Sequence, residues 1–185
     1  ENLNKVFKFF GDEQKSKIIA KNIIKQRSKK KILSEDLVNI IERAKKKHSK
    51  INKSTKVFQS LRILVNNEIS QLIFGLINSF KLLPVGGILA IVTFHSLEDK
   101  IVKFFFKNYS EEKKTSRYLP KLKDNKKIFK LINKKPITPS SKEIILNPPS
   151  RSAKLRCAQK IENCNNFDEF VKKFEYLIKI EELAD

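Results

Sequence analysis

A histidine, a serine and two acids follow the longest uncharged apolar run of the chain. That run ends at Phe94, and the next five residues include His95, Ser96, Glu98 and Asp99. An imidazole or a carboxylate beside a substrate can hold or accept a proton, which is general acid–base chemistry. The alternative is structural, because a polar residue at such a place caps a helix and acids favour its first turn. Both interpretations stay open on the residues alone.

Two pairs of polar residues are further candidates for binding. Arg62 and Asn66 are four residues apart in a helical segment dominated by apolar residues, so they share one helix face. They either point into a cleft or are satisfied partners within a core. Arg151 and Arg156 flank the last segment with strand character. A guanidinium group there either binds phosphate or is solvated at the surface.

The charge of the chain favours a polyanionic partner. Its 185 residues include 40 Lys or Arg and 20 Asp or Glu, which gives a formal net charge of +20. Nucleic acids and anionic membrane surfaces attract such an excess. The basic runs at Lys29, Lys30 and Lys31, at 45–47 and at 113–127 are candidate contacts with a polyanion. Only six of the basic residues are Arg, so a solvated surface is the alternative for part of the lysine excess.

Composition excludes several classes of protein. An apolar fraction of 40% with 14 Phe is enough for a packed core and excludes general disorder. The longest uncharged apolar run, 82–94, is about a third too short to cross a bilayer. Cys157 and Cys164 cannot form a disulfide framework, and the two histidines lack zinc-ligand spacing to them. We therefore expect a reduced, cytoplasmic protein with no metal site.

The first 83 residues have the apolar spacing of helices. Isoleucines recur at helical spacing from 18 to 24, and Ser34 is a good N-cap for the following helix. From Thr55 the pattern predicts one long helix. Its buried face is marked by Phe58, Leu61, Val65, Leu72, Leu76 and Phe80.

The period changes after residue 83, which predicts an α/β fold. A turn at 84–87 precedes the apolar run Ile88 to Phe94, which predicts a parallel strand buried on both faces. A helix is expected from Ser96 through Phe106. The basic segment 108–127 reads as a mobile loop. Further elements are expected as strands at 128–132 and 153–161, a short helix at 142–146 and an amphipathic helix at 167–183.

Three segments together resemble one family. They are VFQSLRILVNNEISQL, PVGGILAIVTFHSLEDKIVKFFFK and PITPSSKEIILNPPSRSAKLRCAQK, in this order and spacing. The chain thereby resembles the bacterial small-subunit rRNA cytosine-N4 methyltransferases, and FHSLED followed by SRSAKLR is the most specific combination. An earlier segment, FFGDEQKSKIIAKNII, is similar to the first helix of that family's inserted domain.

The resemblance implies a fold, an activity and partners. The fold is a partial class I, Rossmann-like methyltransferase domain, in which residues 1–54 belong to a helical RNA-binding insertion and residues 55–185 form the C-terminal half. The activity transfers a methyl group from S-adenosylmethionine to a cytosine amine in the decoding centre of 16S rRNA, within the small ribosomal subunit. His95, Ser96, Glu98 and Asp99 are then expected at the catalytic site. Arg62, Asn66, Arg151, Arg156, Lys29, Lys30 and Lys31 are expected at RNA.

The family's glycine-rich cofactor loop has no counterpart here, because none of the four glycines belongs to such a loop opening a helix. We therefore interpret the chain as the C-terminal part of a longer enzyme that binds S-adenosylmethionine weakly or not at all by itself. On this interpretation one edge of the strand at 88–94 is unpaired and the last strand is antiparallel. The alternative is a non-catalytic basic protein that binds RNA or the ribosome and retains only the scaffold.

Overall fold

A computed structural model describes residues 1–45, 52–110 and 127–184. The fold is α/β, as predicted, with one small sheet and many helices. The described chain divides into two compact units, Glu1–Ser70 with Glu175–Asp185, and Gln71–Phe174. The expected boundary at residue 54 stays a prediction.

The elements follow the helical and strand patterns of the sequence. The described α-helices are α1 (Asn2–Phe9), α2 (Ser16–Arg27), α3 (Ser34–Ala44), α4 (Thr55–Asn66), α5 (Glu68–Leu82), α6 (Ser96–Asn108), α7 (Ser141–Leu146) and α8 (Asp168–Glu181). The strands are β1 (Ile88–Thr93), β2 (Phe129–Leu131) and β3 (Lys154–Lys160). Short 3-10 turns occupy Pro148–Ser152 and Glu182–Ala184. The strands and helices expected after residue 83 are therefore confirmed to within a few residues, except in 111–126, where the mobile loop was expected and which lies outside the described residues.

In the first unit, α1 packs on α2 and α4, and α2 packs on α3. Phe7, Ile19 and Ile41 are fully buried there. The turn between α1 and α2 approaches α4 so closely that a Cβ on Gly11 would lie 2.5 Å from the carbonyl oxygen of Lys56. Only glycine fits this approach.

The single long helix expected from Thr55 is wrong, because the chain breaks at Asn67. Asn67 has φ 51° and ψ 41°, a left-handed conformation that ends α4, and α5 begins at the next residue. The expected buried face is wrong in α4 as well, where Phe58 is 38% and Val65 74% exposed. Val57, Ser60 and Ile63 are buried instead. The sequence pattern assumed one unbroken helix, whereas the break gives α4 and α5 separate buried faces.

The sheet of the second unit has the order β1-β3-β2, with β3 antiparallel to both neighbours. The antiparallel last strand is thereby confirmed. Strands β1 and β2 run parallel to each other with β3 between them. Among the described residues no strand pairs with the other side of β1, the edge that we expected to be unpaired.

The expectation that 88–94 is buried on both faces is wrong for the described residues. Leu89 and Thr93 are buried, whereas Ile88, Val92 and Phe94 are more than half exposed. The reason is that the described helices cover one face of β1 only. Its hydrogen-bonded neighbour is also antiparallel, and not the parallel one that the unbroken apolar run suggested.

Aromatic side chains fill the core beneath the covered face of the sheet. Phe105 lies 4.8 Å from Phe170 and 5.5 Å from Phe129 between ring centroids, and Phe80 lies 5.2 Å from Phe129. The Nζ atom of Lys160, on β3, donates to the carbonyl oxygens of Phe80 (2.9 Å) and Leu83 (2.7 Å). A buried ammonium group thus caps the C-terminal end of α5, where the helix dipole favours a cation. No helix of the described residues is long and apolar enough to cross a membrane.

Candidate active site and basic clefts

His95 is the residue that caps α6 at the carboxyl end of β1. Its Nδ1 atom accepts a hydrogen bond from the backbone N–H of Glu98 (3.3 Å). In the neutral imidazole this places the ring proton on Nε2. Nε2 is buried and lies 3.2 Å from Oε1 of Glu98, but makes no well-directed hydrogen bond to a described residue. The ring is therefore fixed in one orientation with a donor still to be satisfied.

Glu98 completes the capping box. Its Oε2 atom accepts hydrogen bonds from the backbone N–H groups of Phe94 (2.8 Å) and His95 (3.2 Å). Burial by itself raises the pKa of the Glu98 carboxyl, but the His95 imidazole and these N–H groups outweigh burial and lower the pKa below its ordinary value of 4.5. The carboxylate is thus anionic at neutral pH. Ser96, the first residue of α6, is exposed.

Asp99 is bound by two cations from β3. Its carboxylate accepts from Nε of Arg156 (2.8 Å) and from Nζ of Lys154 (3.1 Å). Burial raises the pKa of Asp99, whereas the hydrogen bonds from Arg156 and Lys154 lower it, and the net effect is a pKa below the ordinary value of 3.8. Asp99 therefore joins the start of α6 to the last strand.

The two arginines near the last strand are not brought together. Arg156 is 8% exposed and held by Asp99, whereas Arg151 is exposed in the 3-10 turn Pro148–Ser152. Only Arg156 lies in a fixed site.

Arg62 and Asn66 are brought together, as their spacing predicted, and Glu68 joins them. Nε and an Nη group of Arg62 donate to the two carboxylate oxygens of Glu68 (2.7 and 2.9 Å), and Nδ2 of Asn66 donates to Oε1 (3.2 Å). Sequence reasoning missed Glu68, because it assumed a straight helix in which residues 62 and 68 do not share a face. The left-handed conformation of Asn67 brings Glu68 to Arg62, and the signal of it in the sequence was an Asn pair within a helical pattern.

Basic residues of α2, of the turn after α2 and of α3 line a cleft in the first unit, which we name the α2–α3 cleft. It has a volume of about 470 Å³, and its charged lining residues are Lys25, Lys29, Lys30 and Arg43. Asp36 accepts from Nζ of Lys30 (2.7 Å), and this bond, with the Leu33 N–H, lowers the pKa of Asp36. The structure thus brings two of the three candidate lysines together in one basic concavity, while Lys31 is exposed and outside its lining.

The chain's four glycines do not form a loop for the adenosyl cofactor. Gly86 and Gly87 precede β1, Gly75 lies within α5, and Gly11 lies in the turn between α1 and α2. A nucleotide-binding loop needs glycines after a strand and at the start of a helix, where the backbone N–H groups face the ligand. The described residues therefore do not fit the principal site of S-adenosylmethionine.

Comparison with known proteins places the chain in a family. The MraW methylase family matches residues 1–161. The chain is 41% identical over 165 residues to ribosomal RNA small subunit methyltransferase H of Sulfurihydrogenibium sp. (strain YO3AOP1), covering 87% of this chain and 52% of the relative. It is 42% identical over 158 residues to the protein of that name from Agrobacterium fabrum, covering 84% and 46%. The chain spans about half the length of these curated relatives. The extent of the family match and the level of identity establish that the chain belongs to the MraW methylase family.

Proposed function

We propose that the protein methylates small-subunit ribosomal RNA, at the exocyclic N4 amine of a cytosine in the decoding centre of 16S rRNA, with S-adenosylmethionine as the methyl donor. Membership of the MraW methylase family supports methyl transfer, and the names of the relatives supply the small-subunit RNA. The net charge of +20 suits a polyanionic substrate. Residues 1–54 are proposed to be the helical RNA-binding insertion, and residues 55–185 the C-terminal half of the catalytic domain.

The observation that carries the proposal is a donor beside an acceptor at the carboxyl end of β1. Nε2–H of His95 is a donor without a directed partner among the described residues, and Oε1 of Glu98 lies 3.2 Å from Nε2. Cytosine presents the complementary pair, since its N3 accepts and its N4 amine donates. We infer that His95 donates to N3 while Glu98 accepts from the amine. Such an arrangement orients the base, and the Glu98 carboxylate can take the proton that the amine loses when the methyl group is transferred to it.

The other expected site residues have supporting roles in this proposal. Asp99 orients Arg156 and anchors the start of α6. The exposed Ser96 hydroxyl contacts the RNA next to the target base, and Arg151 contacts its backbone. The Arg62–Glu68–Asn66 group fixes the end of α4 beside substrate RNA.

Two assays test the proposal. The first joins the chain to the N-terminal portion of the Sulfurihydrogenibium relative that it does not cover, and measures transfer of labelled methyl to small-subunit rRNA. N4-methylcytosine, identified by mass spectrometry of nuclease digests, is expected. The second titrates the 185-residue chain with S-adenosylmethionine by calorimetry, and we expect weak or no binding because the described residues lack a cofactor loop. A low-micromolar affinity would contradict this part.

A second function stays in view because one observation favours it. Glu98 and Asp99 already serve in a helix cap and an ion-pair group, so the strand end is accounted for by structure alone. A non-catalytic protein that binds RNA or the ribosome through its basic clefts would need nothing more. Full RNA affinity without any methyl transfer by the joined protein would favour this function.

A further inference from the structure

A second basic cleft lies in the unit Gln71–Phe174, formed by the C-terminal half of α6, by β2 and by the segment after β2. We name it the α6–β2 cleft. It has a volume of about 560 Å³. The basic residues of its lining are Lys103, Lys107, Lys127, Lys130, Lys134 and Arg156, and no acid of the described residues belongs to the lining. Lys103 and Lys107 lie 8 and 12 residues after His95 in the sequence, about 12 and 18 Å along the helix axis, so the lysine-lined part of the cleft lies away from the strand end, to which Arg156 connects it through Asp99.

The positive charge of this cleft is largely uncompensated. Lys103, Lys127, Lys130 and Lys134 form no ion pair with an acid of the described residues, in contrast to Lys154, whose charge meets Asp99. Like charges held close together repel one another, and a bound anion relieves that repulsion.

Arg156 gives the cleft a fixed anchor. It is 8% exposed, and Asp99 holds its Nε at 2.8 Å. Neither Nη group is hydrogen-bonded to an acceptor of the described residues. A guanidinium group oriented through Nε presents its Nη donors in a fixed plane, which is the geometry that binds a phosphate through two parallel hydrogen bonds.

The shape of the cleft selects among polyanions. The buried Phe106 and the half-buried Leu131 form its floor, and the exposed lysines stand around them. A flat bilayer surface cannot enter a concavity, whereas a single nucleic-acid strand fits one and can lay an apolar base or sugar face over the floor. Lys103 and Lys107 are one helical turn apart, so they present a row of charge along which a phosphate backbone can run.

We propose that the α6–β2 cleft binds the phosphate backbone of the substrate RNA at a distance from the target base. The proposal rests on the proposed function in taking RNA as the substrate, and adds a second anchoring surface to it. Two anchors on one molecule raise the effective concentration of the RNA at the strand end. RNA long enough to reach the cleft should therefore bind more tightly than a short oligonucleotide carrying the same target.

The first experiment is a comparison of matched charge reversals in the 185-residue chain. The variant K103E/K107E/K130E is compared with K81E/K142E/K172E, which changes the net charge equally at exposed residues outside the cleft. Binding of a decoding-site RNA is expected to weaken about 10- to 100-fold in the first variant and less than threefold in the second. The slope of log affinity against log salt concentration should become shallower by roughly 2, since each of the three lysines lost as a contact with a single-strand phosphate contributes about 0.7. Equal weakening by both variants overturns the proposal.

Lysine footprinting provides the direct readout. Acylation followed by mass spectrometry should show protection of Lys103, Lys107, Lys130 and Lys134 by RNA, and none of Lys142 or Lys172. If the Glu variant does not fold, the K103Q/K107Q/K130Q variant replaces it. Protection by phosphatidylserine vesicles or polyglutamate, but not by RNA, would overturn the choice of partner.

The outcomes separate this inference from the proposed function. If the unchanged chain binds RNA in a salt-dependent way and the cleft variants have no effect, only the proposal for the α6–β2 cleft is refuted. Absence of RNA binding by the unchanged chain refutes the RNA substrate of the proposed function as well.

Discussion

The strand end after β1 and the α6–β2 cleft hold their charges in opposite ways. At the strand end, each carboxylate has directed partners, namely backbone N–H groups for Glu98 and two cations for Asp99. In the α6–β2 cleft the lysines are exposed. Four of them form no ion pair with an acid of the described residues, namely Lys103, Lys127, Lys130 and Lys134. Fixed geometry suits the orientation of a base, whereas uncompensated charge suits attraction of a polyanion. The contrast predicts that substitutions at the strand end change rate, and that substitutions in the clefts change affinity.

The largest effect is expected from His95→Ala, measured in the chain joined to the relative's N-terminal portion. Methylation should slow about hundredfold or more, as for the loss of a group that acts on a proton, while RNA affinity barely changes. The control is His95→Asn, because Asn caps helices well but lacks the imidazole. A helix-capping role alone predicts that Asn restores the rate, and this result would contradict the proposed contact with the base.

The second-largest effect is expected on RNA affinity, from the basic run at residues 29–31. Changing Lys29, Lys30 and Lys31 together to Glu should weaken the binding of all RNAs about 10- to 100-fold, because contacts with phosphate carry no sequence information. The matched control changes Lys5, Lys8 and Lys17 to Glu, and a few-fold loss at most is expected. Filter binding over a salt series measures both. Affinity that is independent of salt would indicate a partner other than a polyanion.

A smaller effect concerns a buried charge with directed partners. Glu181, at the end of α8, is 2% exposed and accepts from the backbone N–H groups of Ile69 (2.7 Å) and Ser70 (2.9 Å) at the start of α5. Glu181→Ala should lower the free energy of unfolding by about 2 kcal/mol, because a buried and a half-buried backbone donor lose their acceptor. Urea denaturation measures this, with the exposed Glu182→Ala as control. An equal effect of both variants would show that the cap is not responsible.

The smallest effect is a dependence on pH at Asp99. Because the pKa of Asp99 is lowered in the folded protein, its ionised form stabilises the fold fully above the ordinary value of 3.8, and this contribution disappears as the pH falls below that value. Asp99→Asn should therefore reduce stability by about 1 kcal/mol at pH 7 and by progressively less in acid. Thermal unfolding between pH 3 and pH 7 measures the gap. A gap that is constant with pH would mean that ionisation of Asp99 does not contribute.

The sequence predicted the elements of the second unit well, because each has a strong local signal. The turn at Gly86 and Gly87 before an apolar run predicted β1, and the S-L-E-D motif predicted the start of α6. The motif also indicated a capping box at that start, but the box is formed by His95 and Glu98 and not by Ser96 and Asp99. The role of His95 as the cap was an open alternative, and its cap is now visible in the Nδ1 contact.

The predictions from sequence failed where contacts between residues far apart in the sequence determine the structure. The break at Asn67 rests partly on Glu181, more than 100 residues away, which caps α5 from another helix. The exposure of Ile88 and Val92 depends on what covers the second face of β1, which apolarity alone does not reveal. The partnership of Asp99 with Arg156 requires β3 to pair with β1 in one register.

Composition and local motifs by themselves determined the charge, the helical and strand segments, the α/β class and, through the resemblance, the family. These properties depend on residue types and on spacings of two to four residues, which are the same whatever the tertiary structure is. Only the tertiary structure decided which charges are compensated. It left the Nε2 donor of His95 without a directed partner among the described residues, and it placed lysines of α6 and β2 in one cleft with Arg156. Compensation depends on distances between residues far apart in sequence, because Coulomb and hydrogen-bond energies fall steeply with distance.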